Sequence, residues 1–268
     1  MAPAMFEFTE ERIEHAALAL RYHLAPWDVS SFGANTAAIA AIEVHDAAAA
    51  AAAFLPFRAW CEANRVCLVS SRVAQDRLAE AGFLEAQGFR FIELNYRPHC
   101  NQLDDFVADP GLVITAAGAD DEPAITAMAA QTFDTGRLHV DPFVDPRIGN
   151  RRYGIWVANA FRNPRQTVLK CVLDGAIVAF MVVEQPSPTS RFWSLVGLAP
   201  GLAGRGLGRR VWRAMLAHHR SEGVREVSTS ISSHNIAVHN LYVSLGFRFP
   251  APTITLHWCP SGTVRLPG

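Results

Sequence analysis

The chain has 268 residues, half of them hydrophobic, with 24 basic against 25 acidic side chains and a formal net charge of −1. Such a chain buries a core and is no disordered tail, and its even charge balance gives no electrostatic reason to bind nucleic acid. The five cysteines (Cys61, Cys67, Cys100, Cys171, Cys259) show no metal-ligand spacing and read as reduced thiols of a cytoplasmic protein, with no metal expected.

Residues 1–10 are acidic and lack the basic and apolar regions of a signal peptide. No uninterrupted apolar run is long enough to span a membrane. The alanine run 47–53 predicts part of a helix running toward Trp60, since alanine is the best helix former. Val66–Ser70 reads as a strand and Val73–Ala81 as a helix. A short helix then ends at Gly88, a good left-handed cap, and Phe89-Arg90-Phe91 opens a strand that continues Ile92-Glu93-Leu94-Asn95-Tyr96. With Ile92 facing out, Glu93 and Phe91 point inward. Residues 97–109 are polar, lie against Pro98 and Pro110, and predict a linker between domains at 1–108 and 109–268.

The second half opens with strand Leu112–Ala116. Ala119-Asp120-Asp121-Glu122-Pro123 starts a helix to Thr132, with acids and proline in its first turn. A loop, Phe133–Asp145, leads to helix Pro146–Phe161. Strands Thr167–Leu173 and Ala176–Glu184 flank Asp174-Gly175, a strong hairpin signal. Strand Phe192–Leu198 stops at Ala199-Pro200, because proline cannot donate to a ladder. The loop Gly201-Leu202-Ala203-Gly204-Arg205-Gly206-Leu207-Gly208 follows, then an apolar helix bearing Arg209, Arg210 and Arg213. Alternate glycines let a backbone approach a ligand closely, and a helix start offers N–H groups and a positive dipole end to an anion. The stretch therefore reads as a phosphate cradle. A dinucleotide site would need an acid at the end of the next strand, Val224–Ile231, but Glu226 stands at its start and Ser232-Ser233-His234-Asn235 ends it.

After that strand comes Asn235-Ile236-Ala237-Val238-His239-Asn240-Leu241-Tyr242-Val243-Ser244-Leu245-Gly246-Phe247. Loop and segment together resemble the GCN5-related N-acetyltransferase (GNAT) superfamily, over residues 192–247. Residues 83–91 echo 241–249, each ending a helix at glycine before Phe-Arg-Phe. The expected fold is thus α/β with a mixed sheet: a GNAT domain preceded by a degenerate, partial GNAT-like domain that lacks the loop.

The resemblance implies acetyl-CoA as cosubstrate and the amine of a small molecule as acceptor. It implies coenzyme contacts at Val196, Gly197, Leu198, Ala203, Gly204, Arg205, Gly206, Leu207, Gly208, Arg209, Asn235 and Asn240. Ala203 departs from the family's Arg or Gln, so the grip falls mainly to the backbone. Tyr242 stands where the family keeps its general acid, and a phenol with a pKa of about 10 stays protonated at neutral pH; its other reading is packing beside Leu241 and Leu245. The family's usual glutamate is absent from strand 192–198. Glu93 is preferred as base, with His234 and His239 as alternatives and Glu184 set aside as a strand end.

Outer motifs around Trp27, Asp28 and Phe32, and around Arg137, His139 and Asp141, resemble the TDP-fucosamine acetyltransferase subgroup, which implies that these six residues line an acceptor pocket for a nucleotide-linked amino sugar. Another small amine (amino acid, polyamine, antibiotic) and a non-catalytic acyl-CoA-binding protein are the rival functions. No nucleic acid or membrane partner is expected, and a homodimer is the default oligomer.

Overall fold

A computed structural model describes residues 7–202, 204 and 206–266. The expectations for Ala203 and Arg205 lie outside these residues. In chain order the elements begin with strands Glu11–His15 (β1) and Leu18–Leu24 (β2), helix Pro26–Phe32 (α1) and strand Asn35–Val44 (β3). Helices Ala47–Ala53 (α2) and Leu55–Ala63 (α3) lead to strand Val66–Ala74 (β4), helix Leu78–Ala86 (α4) and strands Arg90–Tyr96 (β5) and His99–Cys100 (β6). Strand Leu112–Ala116 (β7), helices Glu122–Thr132 (α5), Arg137–Val140 (α6) and Pro146–Ala160 (α7), and strands Gln166–Leu173 (β8), Ala176–Ser187 (β9) and Ser190–Leu198 (β10) follow. Helix Leu207–Ser221 (α8), strands Glu226–Thr229 (β11) and Ile231–Ser232 (β12), helix Ile236–Ser244 (α9) and strand Thr253–Trp258 (β13) complete the chain.

The mixed α/β class holds, and contacts divide the chain into two units. The first comprises residues 1–95, 135–149 and 251–268; the second comprises 96–134 and 150–250. The division differs from the boundary read at 108/109 because β13 pairs with β4 and β5, both of the first unit. Pairing across a sheet outweighs chain continuity, and no sequence pattern names a strand's partner.

In the first unit β3 lies parallel to β4 and antiparallel to β2, and β13 is antiparallel to both its neighbours. One face packs Phe54, Phe57, Leu84 and Leu256 around the helices. The alanine helix breaks at Phe54, where Pro56 opens α3. The helix read over 73–81 is corrected. The strand runs on to Ala74 and the helix starts at Leu78, because Val69, Ser71 and Val73 continue the inward alternation of a strand. Residues 35–44, for which no element was expected, form a strand in which four alanines stand among the β-branched Thr36, Ile39, Ile42 and Val44. The facing expected on β5 is corrected as well: Phe91 is exposed while Ile92 and Glu93 are both buried, owing to a bulge opposite Thr255 and Leu256.

In the second unit the sheet order is β6-β11-β10-β9-β8-β7. The β8–β9 hairpin turns at Asp174 and Gly175, both in the left-handed region, as the sequence predicts. The residues read as linker include β6, which pairs with β11. Helices α8 and α9 cover one face around Trp193, Val211, Met215 and Leu216. Helices α5 and α7 cover the other around Ile125, Val157, Phe180 and Leu195.

Candidate active site

The second unit builds its site where two strands part. β10 stays paired with β9 as far as Leu198, but its parallel pairing with β11 runs only from Ser190/Glu226 to Trp193/Thr229. Beyond Trp193 the edge of β10 that faced β11 has no strand partner among the described residues. Ser194 is the extra residue of a bulge at this point, between Trp193 and Leu195. A bulge bends its strand and increases its twist, which opens the fork. Val196, Gly197 and Leu198, the predicted pantetheine contacts, lie along this free edge. Gly197 is demanded locally, since a Cβ there would sit 2.6 Å from the Phe180 ring. Thr132 donates its hydroxyl to the Leu198 carbonyl at 3.0 Å and so ties α5 to the end of the strand.

Helix α8 begins just past the fork. Its N-cap is Gly206 at φ 75°, and no side chain caps the first turn. Gly206 has no side chain to take up the opening N–H groups, and free N–H groups are what an anion meets at a helix start. Leu207 is buried, and α8 lays Val211, Met215 and Leu216 on the core. Burying each such side chain is worth roughly 1.5–3 kcal/mol, which fixes the seat on a rigid element. The arginines divide. Arg210 is held by Asp109 at 2.8 Å and Arg213 stands over the Phe106 ring at 5.4 Å, whereas Arg209 is exposed on the first turn.

Tyr242, on α9, is buried beside Trp212 and Phe247. Burial pushes its phenol up to about 12, opposed by the neighbouring Trp212 indole and Thr229 hydroxyl. Thr229 is the last β11 residue paired with β10, and its hydroxyl donates to the Trp193 carbonyl at 2.8 Å. The phenol oxygen therefore lies at the fork. The Trp212 N–H acts on the phenol electrostatically, yet no acceptor meets it in hydrogen-bond geometry. A buried donor left open costs free energy. Of the two asparagines, Asn235 caps α9 through Val238 N at 3.2 Å and Asn240 is exposed on the helix.

Glu184 is no exposed strand end. It sits within β9 opposite Phe192, and its Oε1 accepts from Ser194 Oγ at 2.6 Å and from Gln166 Nε2 at 2.9 Å. The strand without a carboxylate of its own thus carries one through a cross-strand contact. The signal lay in the hairpin register, which a search confined to strand 192–198 does not see.

Deeper in the same unit, Trp193 Nε1 donates to His219 Nε2 at 3.0 Å, which leaves the ring proton on Nδ1, facing Glu222 at 3.1 Å. Burial pushes His219 down to about 4. His218, His219 and Glu222 have ligand-like spacing, but this tautomer turns a proton, not a lone pair, toward the group.

The acceptor residues read from the sequence all fall in the first unit, and three of them converge. His257 Nδ1 contacts Asp141 Oδ2 at 2.8 Å, His257 Nε2 contacts Arg137 at 2.7 Å, and Arg137 lies 3.6 Å from Asp28. Burial pushes His257 down to about 4, so it is a neutral imidazole accepting from Arg137 and donating to Asp141. Burial raises the Asp141 carboxyl, but hydrogen bonds from His257 and Phe143 N outweigh it and hold the group below its ordinary range. Arg90 completes the cluster, 3.7 Å from Asp141 and stacked 3.8 Å over Phe143.

His257 was missed, although Thr253, Thr255 and His257 alternate with Ile254, Leu256 and Trp258 along one strand. The other three expected residues have further neighbours. Phe32 is a core side chain with Leu68 and Ile148. Trp27 packs against Phe8 and His23. His139 lies so close to Gly149 that a Cβ there would meet its ring at 2.5 Å. Glu93, the preferred base, is buried on β5. Thr255 Oγ1 lies 3.4 Å from its Oε1, and Oε2 has no hydrogen-bond partner.

Residues 134–247 match the model of the acetyltransferase (GNAT) family. This stretch is similar to the GNAT family. The match takes in the fork, α8 and Tyr242. Mycothiol acetyltransferase of Frankia casuarinae is 26% identical over 159 residues, 55% of this chain and 40% of that protein. The Frankia alni protein of the same name is 28% identical over 163 residues, 53% of this chain and 43% of its own. The matches thus span about two-fifths of the length of these curated relatives. Among solved structures, a tandem GNAT protein from the clavulanic acid biosynthesis pathway superposes with a TM-score of 0.64 at 17% identity, over 97% of this chain and 85% of that one. A GNAT protein of Sphaerobacter thermophilus gives 0.64 at 13%, over 93% and 82%. These likenesses establish a shared fold. No helix of the described residues is long and apolar enough to cross a membrane.

Proposed function

We propose that the chain is an acetyl-CoA-dependent N-acetyltransferase acting on the amine of a small molecule, most specifically a nucleotide-linked amino sugar. The observation that carries the acetyl-transfer reading is the fork at Trp193/Thr229 with the Tyr242 phenol beside it. A strand edge without a partner suits the amides of pantetheine, and the uncapped start of α8 suits the pyrophosphate. Gly204, Gly206, Leu207, Gly208 and Arg209 would seat the phosphates, with Ala203 and Arg205 completing the loop.

In this reading the amine attacks the thioester carbonyl, whose oxygen is met by backbone N–H near Leu198. As the carbon–sulfur bond breaks, Tyr242 gives its proton to the sulfur, and the Trp212 N–H stabilises the phenolate that remains. Two carboxylates are proposed for the proton leaving the amine. Glu184 with Ser194 stands at the bulge in the second unit; Glu93, buried with one oxygen unpartnered, is the candidate of the first.

Arg137 and Asp141, held by His257, and Asp28, paired with Arg137, are proposed as the acceptor-recognition group, together with Trp27, Phe32 and His139. The name of the Frankia relatives favours a second reading, a mycothiol-related acceptor. Following thiol release from acetyl-CoA over nucleotide-linked amino sugars, mycothiol precursors, polyamines and amino acids tests both. Turnover confined to polyamines or amino acids would overturn both acceptor readings, and silence on every amine would overturn the activity.

A further inference from the structure

The two units repeat one arrangement. In the first, β3 pairs in parallel with β4 from Asn35/Val66 to Ile39/Ser71, and β3 then continues to Val44 without that partner. This is the same fork that β10 and β11 make in the second unit. In both, a helix follows the splayed strand, and a later helix ends at a left-handed glycine, Gly88 or Gly246. The geometry that accepts a coenzyme's amide chain is thus present twice.

The starts of the two helices differ. α8 has Gly206 at its N-cap, a residue with no side chain to cap the first turn. α2 has Asp46, whose Oδ1 accepts from Ala48 N at 3.0 Å and from Ala49 N at 3.2 Å. A carboxylate already sits where a phosphate would sit, on the N–H groups that a phosphate would use. The connection is also short and fixed. Only His45 and Asp46 separate β3 from α2, neither is glycine, and the backbone N–H of each donates to Ala17 O, at 2.9 and 3.3 Å. No loop is left to wrap an anion. An incoming pyrophosphate would have to displace Asp46 and then face its charge.

We propose that Asp46 seals the first unit's fork as an internal anion, so that one chain binds a single acyl-coenzyme A, in its second unit. This rests on the donor site proposed above. It assigns Asp46 a role beyond capping: it keeps the repeat from taking a second coenzyme.

The full-length chain is dialysed to equilibrium against radiolabelled acetyl-CoA, and hydrogen exchange is compared with and without the coenzyme. The expected result is one equivalent bound per chain, with new protection over residues 193–212 and none over 39–52. Gly206→Asp, which gives α8 the kind of charge that α2 carries, should reduce binding at least tenfold; circular dichroism checks its fold. Should that variant not fold, the wild-type stoichiometry and protection map still decide. Two equivalents, or one equivalent protecting 39–52, would overturn the proposal while leaving the donor reading standing. No binding at all would overturn both.

Discussion

Ser194 Oγ lies 2.6 Å from Glu184 Oε1, a short hydrogen bond between the bulged residue of one strand and a carboxylate of its neighbour. The pair stands where β10 leaves β11, so a proton given up at the fork has a hydroxyl and then a carboxylate within reach. If the pair serves as the base, Glu184→Gln should lower kcat by on the order of 10²-fold. Acetyl-CoA affinity should not change. A variant with wild-type turnover would remove the pair from the mechanism and leave Glu93.

Tyr242→Phe should lower kcat by a similar factor while acetyl-CoA binding, measured by titration calorimetry, stays nearly the same. Trp212→Phe removes the N–H that faces the phenol together with part of a buried ring, so its urea midpoint is measured beside its kinetics. It should reproduce part of the loss in kcat without altering KM. A merely packing role for Tyr242 would show instead as lost stability with intact turnover.

Gly197→Ala should destabilise the second unit. The added methyl would lie 2.6 Å from Phe180 Cε1 and 2.9 Å from Cζ, and Phe180 is fully buried, so the ring has little room to retreat. Overpacking of this kind costs about 1–3 kcal/mol. The urea midpoint should fall accordingly, and an unchanged midpoint would show that the strand can shift.

Stability should fall in mild acid. Burial holds His219 and His257 at about 4, below the unfolded reference of about 6.5. The unfolded chain therefore takes up these protons first. Their contribution is complete above about pH 6.5 and is lost as pH falls toward 4, by at most roughly 3 kcal/mol for each histidine. The hydrogen-bonded Asp141 adds to the loss at lower pH, because its folded value is held below the ordinary range. Urea midpoints across this range test the slope, and replacing either histidine should flatten it by one proton.

Local chemistry made the glycine loop, the Asp174-Gly175 hairpin and the Asn235–Phe247 segment legible, because each is a short stretch whose residues state their own backbone geometry or match a family pattern. Together they gave the mixed α/β class and the GNAT resemblance before any contact was known. Tertiary structure decided what depends on partners distant in sequence. It placed Thr253–Trp258 between β4 and β5, set Glu184 against Ser194, and joined His257 to Asp141 and Arg137. Strand pairing is chosen by the whole sheet. A residue such as Glu184 carries the same local pattern whether its strand ends in solvent or lies beside a bulge, and only the register tells the two apart.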